Sequence, residues 1–252
     1  MRSEKAKINT IKRIIPQQLE EADLTENSDK REEITVSRES STEWKKCKYL
    51  GSLLETEADI NRRKSLAIDS YKTLEKIFKS RTISEKTKIK VFQAYINSVF
   101  LYHSELWILT NKLEKKIDSF QRRLLRNALG FHYPKIIRNE DLYKKIIPWS
   151  KRIRKRRLSW LGHLLRLNEE TPVRKALNIY CENLRNPVGR PKQAWLNIVL
   201  KDISENSNIN INNTNDQGLF IEELLELSKN RNEWNNMIKH MMLVNEHVKK
   251  KK

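Results

Sequence analysis

Residues 151–167, "KRIRKRRLSWLGHLLRL", hold seven basic residues, five leucines and one tryptophan, and no acidic residue. On a helical wheel at about 100° per residue, Ile153, Leu158, Trp160, Leu161, Leu164, Leu165 and Leu167 fall on one half. Lys151, Arg152, Lys155, Arg156, Ser159, His163 and Arg166 fall on the other. The pattern predicts a helix with a core face, Trp160 included, and a cationic face. Arg154 and Arg157 lie on the apolar side near the N-terminal end, where each must snorkel or meet a partner. The cationic face is either solvated or a surface that holds a polyanion. Solvated faces usually mix Glu with Lys, so the absence of acid favours phosphate contact, with backbone rather than bases. "KRIRKRR" also reads as a nuclear-import signal.

Charge across the chain points the same way. The 252 residues carry a net charge of +19. Residues 1–43 contain eight Lys or Arg against ten Asp or Glu, so everything from Trp44 onward carries +21. A field of that sign concentrates phosphate-bearing partners near the surface. Smaller basic clusters repeat the theme: Arg62, Arg63 and Lys64 in "NRRK", Lys86 and Lys90 four apart in "KTKIK", "QRRLLR" at 121–126, and Arg190 and Lys192 in "GRPK". The two cysteines, Cys47 and Cys181, stand far apart, which is neither a disulfide framework nor a zinc module and fits a reduced, intracellular setting. No run approaches the roughly 20 apolar residues of a membrane span.

Only five glycines and six prolines are present, which suits a mainly α chain. Residues 1–43 read as a polar, acidic loop or tail. A short β element follows at 44–56, with Gly51 as its turn. Amphipathic periodicity then marks three helices over 57–130: a stripe from about 57 to 80, a helix starting near Thr82 with Glu85 at capping-box spacing, and a third ending at Gly130. The expected arrangement is a helical bundle. "FHYPK" interrupts, and further basic helices fill 131–204. Residues 205–218 are Asn-rich and read as a linker. Residues 219–252 hold terminal helices and a basic tail.

Catalytic signals are missing. The aspartates stand singly, without the adjacent or alternating partner from which two-metal chemistry is built. No P-loop, GxSxG or HExxH occurs. His103, His132, His163, His240 and His247 are scattered, and each reads as a helix-face residue rather than a ligand.

The order of the motifs is familiar. "KYLGS", "INRRKSLA", "KTKIKVFQAYINSVFLYHSELW" and "LEKKIDSFQRRLLRNALG" resemble the region after the polymerase active site in reverse transcriptases of non-LTR (LINE-type) retrotransposons. "RRLSWLGHLLRL", "GRPKQAW" and "NRNEWNNMI" look like the further C-terminal signatures of those proteins, and "SEKAKINTIKR" (3–13) like the palm segment just past the catalytic aspartates. The resemblance covers about 44–245. It implies that 1–43 hold a residual palm segment, that 44–56 form the primer grip, with Tyr49, Leu50 and Gly51 its matching residues, and that 57–130 form the thumb that clamps a template–primer duplex. The nucleic-acid contacts expected on this basis are those three residues with Arg62, Arg63, Lys64, Lys86, Lys90, Lys151, Arg152, Lys155, Arg156, Arg190 and Lys192. The implied partner is RNA or an RNA–DNA duplex, with no membrane and no small-molecule substrate. The family is an RNA-directed DNA polymerase, but the paired aspartates and their Mg²⁺ belong to a palm expected to lie upstream. This chain alone is therefore expected to bind without synthesising and to need no cofactor of its own. The alternative is a host-adopted nucleic-acid-binding or helical scaffold protein. The expected compartment is the nucleus.

Overall fold

The computed structural model describes residues 48–182, 194–206 and 217–247. All belong to the second of two units into which the chain divides, Trp44–Lys252. The expectations placed on 1–43, on Arg190 and Lys192, and on most of the 205–218 linker lie outside the described residues.

The protein is mainly helical, preceded by a short hairpin. Strands β1 (Lys48–Tyr49) and β2 (Ser52–Leu53) pair antiparallel, with Tyr49 opposite Ser52. The turn between them has positive φ at both Leu50 (45°) and Gly51 (81°), as two-residue primed turns require. The first long helix, α1 (Thr56–Thr73), stops at Leu74, and a separate turn, α2 (Glu75–Lys79), follows. The single stripe expected over 57–80 is thus two helices. Helix α3 (Glu85–Val91) runs through a π-helical turn, Phe92–Ile96, into α4 (Asn97–Phe100). Its cap is Ser84, whose Oγ accepts from the Thr87 N–H, and not Thr82. Ser-x-x-Thr fits the same spacing two residues on, and Glu85 instead pairs with Lys145. Helix α5 (Asn111–Leu129) is capped by Thr110 and ends on Gly130 at φ 73°, the left-handed C-terminal stop expected there.

After 131–138 come α6 (Asn139–Lys145), α7 (Trp149–Leu165), α8 (Pro172–Glu182), α9 (Trp195–Asn206), α10 (Gln217–Lys229) and α11 (Arg231–His247). The buried side chains form two clusters. One gathers α1–α6 around Phe78, Phe92, Phe100, Phe120 and Trp149. The other joins α9, α10 and α11 around Trp234. Helix α7 serves both, with Trp149 and Ile153 in the first and Leu158, Leu161 and Leu165 in the second. The first core therefore reaches past residue 130.

The start of α7 would be a weak point by itself. Its first turn carries no acid, though cations there oppose the helix dipole. Helix α5 supplies what is missing. Asp118 accepts from the Ser150 N–H (3.0 Å) and its hydroxyl (2.7 Å), and Gln121 Oε1 accepts from the Trp149 N–H (2.8 Å). The Trp149 indole stacks on Phe100 with centroids 3.9 Å apart and donates to Asn97 Oδ1 at 2.7 Å.

At the other end, Gly162 is required by close packing. A Cβ there would stand 2.2 Å from Trp234 Nε1, which already donates to the Leu158 carbonyl at 3.1 Å. The rigid indole cannot swing aside without losing that bond. Gly162→Ala is expected to cost about 1–3 kcal/mol through overpacking. Urea denaturation followed by far-UV circular dichroism measures it, and an unchanged midpoint would contradict the packing described here.

Candidate nucleic-acid interface

The cations of residues 151–167 divide into two groups. Arg157 is fully buried. Its Nη2 donates to Asp202 Oδ2 at 2.8 Å, and its Nη1 lies 3.5 Å from the Trp107 carbonyl. Arg154 pairs with Asp202 Oδ1 at 2.9 Å and approaches Glu114 at 3.7 Å. Burial lowers the Arg157 pKa, with Asp202 and Glu114 opposing the shift, and burial raises that of Glu114 against the pull of both arginines. These two arginines meet partners, as their place on the apolar side required. They hold α5, α7 and α9 together.

The second group faces outward. Arg152, Lys155, Arg156, Ser159 and Trp160 form one stripe of α7 and one wall of an open groove of about 700 Å³. Gln93, Asn97, Ser98, Leu101 and Glu105 form the other wall, supplied by the π turn, α4 and the loop after it. π-helical turns are frequent at functional sites, and this one sets Gln93 on the groove. Trp160 is half-buried on the groove wall rather than in the core, which corrects the expectation for it. Its wheel position borders the cationic stripe, at the edge of the apolar half. Lys155 is exposed, and among the described residues no carboxylate pairs with it. Arg156 donates to the Leu101 carbonyl and lies 3.6 Å from Glu105. Arg152 is half-buried with its Nε unpartnered, and burial together with Arg156 lowers its pKa. Lys151 lies on the same helix, half-buried, one residue from the groove lining.

The remaining expected contacts stand elsewhere. Leu50 and Gly51 form the exposed hairpin turn, and Tyr49 lies in β1. The Leu50 carbonyl accepts from the Tyr102 hydroxyl at 3.0 Å. The Gly51 carbonyl accepts from Arg62 and Arg63, each at 2.6 Å. Arg63 is buried, stacks over the Tyr102 ring at 4.5 Å and lies 3.8 Å from Asp59. Arg63 thus pins the hairpin and does not face outward. A Cβ on Gly51 would meet Tyr102 at an ordinary 3.8 Å, so within the fold the glycine is needed for its positive φ rather than for packing. Lys64 and Arg123 lie over the Phe120 ring, and burial, then the charge of Lys116, lower the Lys64 pKa. Lys86 and Lys90 are exposed on α3.

The loop Leu101–Trp107 links these places. Leu101 receives Arg156, Tyr102 holds the hairpin, the Glu105 carbonyl accepts from Trp195 Nε1 at 2.7 Å, and Trp107 Nε1 donates to Asp59 at 2.9 Å. Its importance had one sequence signal, the aromatic density of "LYHSELW".

The chain is similar to a transposon-derived protein. That protein is an uncharacterised one of Caenorhabditis elegans, 23% identical over 184 residues, a match covering 70% of this chain and 62% of the relative. The chain therefore spans less than two thirds of that relative's length. No family model and no solved structure matches.

Among the described residues no three His, Cys, Asp or Glu side chains stand close enough to hold a metal ion. Asp59, Asp118 and Asp202 are each engaged by N–H donors of the fold. Among the described residues no helix is long and apolar enough to cross a membrane.

Asp202→Asn leaves Arg154 and Arg157 facing each other with one carboxylate, Glu114, at a distance. The expected loss is about 3–5 kcal/mol. Arg157→Met combined with Asp202→Leu removes both charges and should lose markedly less than the sum of the single changes. Denaturant unfolding of the unaltered chain, Arg157→Met, Asp202→Leu and the double variant measures the coupling, and additivity would contradict a buried pair.

Proposed function

We propose that this chain descends from a transposable element, as the part of a LINE-type reverse transcriptase that follows the polymerase active site, and that it binds RNA or an RNA–DNA duplex through phosphates. One observation carries the binding proposal. Arg152, Lys155 and Arg156 form a single cationic stripe beside an open groove, while the inward arginines of the same helix are matched by carboxylates. Arg156 is partly engaged by Leu101 and Glu105, but Lys155 meets no carboxylate among the described residues and Arg152 adds to it, so the stripe stays net positive and open to a polyanion. In this reading the duplex is held mainly by its phosphates, which position a nucleic acid without reading its sequence.

The descent rests on two supports: the similarity to a transposon-derived protein and the ordered motifs that resemble the LINE-type enzymes. The motifs also interlock. "KYLGS" is held by "INRRKSLA" and "LYHSELW", "GRPKQAW" reaches "LYHSELW" through Trp195, and "RRLSWLGHLLRL" meets "NRNEWNNMI" where Gly162 faces Trp234. In this reading the chain itself holds nucleic acid and does not join nucleotides, and "KRIRKRR" doubles as a nuclear-import signal.

Fluorescence anisotropy with an RNA–DNA hybrid, from about 50 to about 300 mM salt, tests the binding. Affinity is expected to fall steeply with salt. Lys155→Ala with Arg156→Ala should reduce the slope of log K against log salt by about 2, with the thermal melt checked for a retained fold. Binding that ignores salt would instead favour a protein–protein module. Primer extension by the purified chain with Mg²⁺ should give no product.

A further inference from the structure

We propose that the groove between α7 and the wall formed by the π turn and α4 takes one unstacked nucleotide of a single-stranded RNA or DNA segment. Its phosphate lies on Arg152 and Lys155, and its base stacks against Trp160. This rests on the nucleic-acid reading above and goes beyond it, because a duplex turns its bases inward and offers a protein mainly phosphates.

The groove has features that phosphate contact alone does not use. Its volume of about 700 Å³ lies in the range of small-molecule sites, whereas a phosphate surface needs no concavity. Its wall is polar below the cations. Asn97 is 3% exposed, its Oδ1 is taken by Trp149, and its Nδ2 has no partner. Arg152 Nε is likewise buried and unpartnered. Unpaired buried donors are costly and mark a place where an acceptor is wanted. Gln93 stands on the same wall as Asn97 and offers an amide to a base or sugar, while the Ser98 hydroxyl, which donates to the Ala94 and Tyr95 carbonyls, can only accept there. Glu105, the carboxylate lining the groove, lies beside Arg156 and leaves a cationic balance. Trp160 contributes an aromatic side chain that the core does not absorb. Aromatic surface beside cations is the combination by which proteins hold single strands, since every base has a face to stack.

The test uses the full chain with oligouridylate, oligothymidylate and an RNA–DNA hybrid of equal length. Trp160→Leu keeps an apolar side chain but removes the stacking surface. Ser98→Leu narrows the groove from an exposed position on the opposite wall. Each is expected to weaken single-strand binding roughly 5- to 100-fold, the worth of about one base stack, and to leave hybrid binding within about twofold. Comparing the two single strands distinguishes RNA from DNA as the source of the nucleotide. Lys155→Ala should weaken all three ligands. If both groove variants bind single strands as tightly as the unaltered chain, or lose the hybrid equally, the nucleotide site is overturned while phosphate binding stands. If no ligand binds, or Lys155→Ala changes none, the nucleic-acid reading itself has failed.

Discussion

A buried guanidinium is costly unless acid matches it, and Arg157 sets that requirement at the point where the two cores meet. Asp202 arrives from α9 to answer it, Trp107 offers a carbonyl from the loop after α4, and Arg154 carries the link on to Glu114 in α5. Leaving such a charge unpaired costs several kcal/mol, so these elements are constrained to one arrangement around α7. The position and tilt of the outer stripe then follow, because Arg152, Lys155 and Arg156 lie on the same rigid helix as Arg157.

Helix α7 therefore works on two sides at once. Its inner side spans both cores, from Trp149 among the phenylalanines to Gly162 beneath Trp234. Its outer side presents Arg152 and the exposed Lys155, with Arg156 shared between that side and the fold. The Leu101–Trp107 loop couples the two, since it takes Arg156 at Leu101, Arg157 at Trp107, and the hairpin at Tyr102. The hairpin carries its own strain, with a non-glycine residue, Leu50, at positive φ. The Tyr102 hydroxyl and the Arg62 and Arg63 side chains hold it in place.

Much of this was legible from periodicity. The leucine face of 151–167, the stop at Gly130 and the break after it follow from local rules of spacing and capping, and the inward lie of Arg154 and Arg157 follows from the wheel. What those rules could not supply were partners distant in sequence. Asp202 looks like any solitary aspartate until α9 is folded against α7. Asp118 and Gln121 cap a helix that starts about 30 residues later. Arg63 looks like one more member of a basic cluster, yet its guanidinium is used by Gly51 and Tyr102. Trp160 sits at the edge of its wheel, where spacing does not decide between core and groove. The groove itself needs two walls about 55 residues apart in sequence, which no local pattern contains.

On the proposed function α7 is the nucleic-acid-facing element, and the other basic clusters have structural or lesser roles. Photocrosslinking with a 4-thiouridine-substituted RNA, followed by mass spectrometry of the linked peptides, tests this most directly. The predicted result is crosslinks concentrated in Arg152–Trp160 and in Gln93–Leu101 across the groove. Crosslinks confined to Lys86 and Lys90 on α3, or to the basic C-terminal tail, with none on α7, would contradict it.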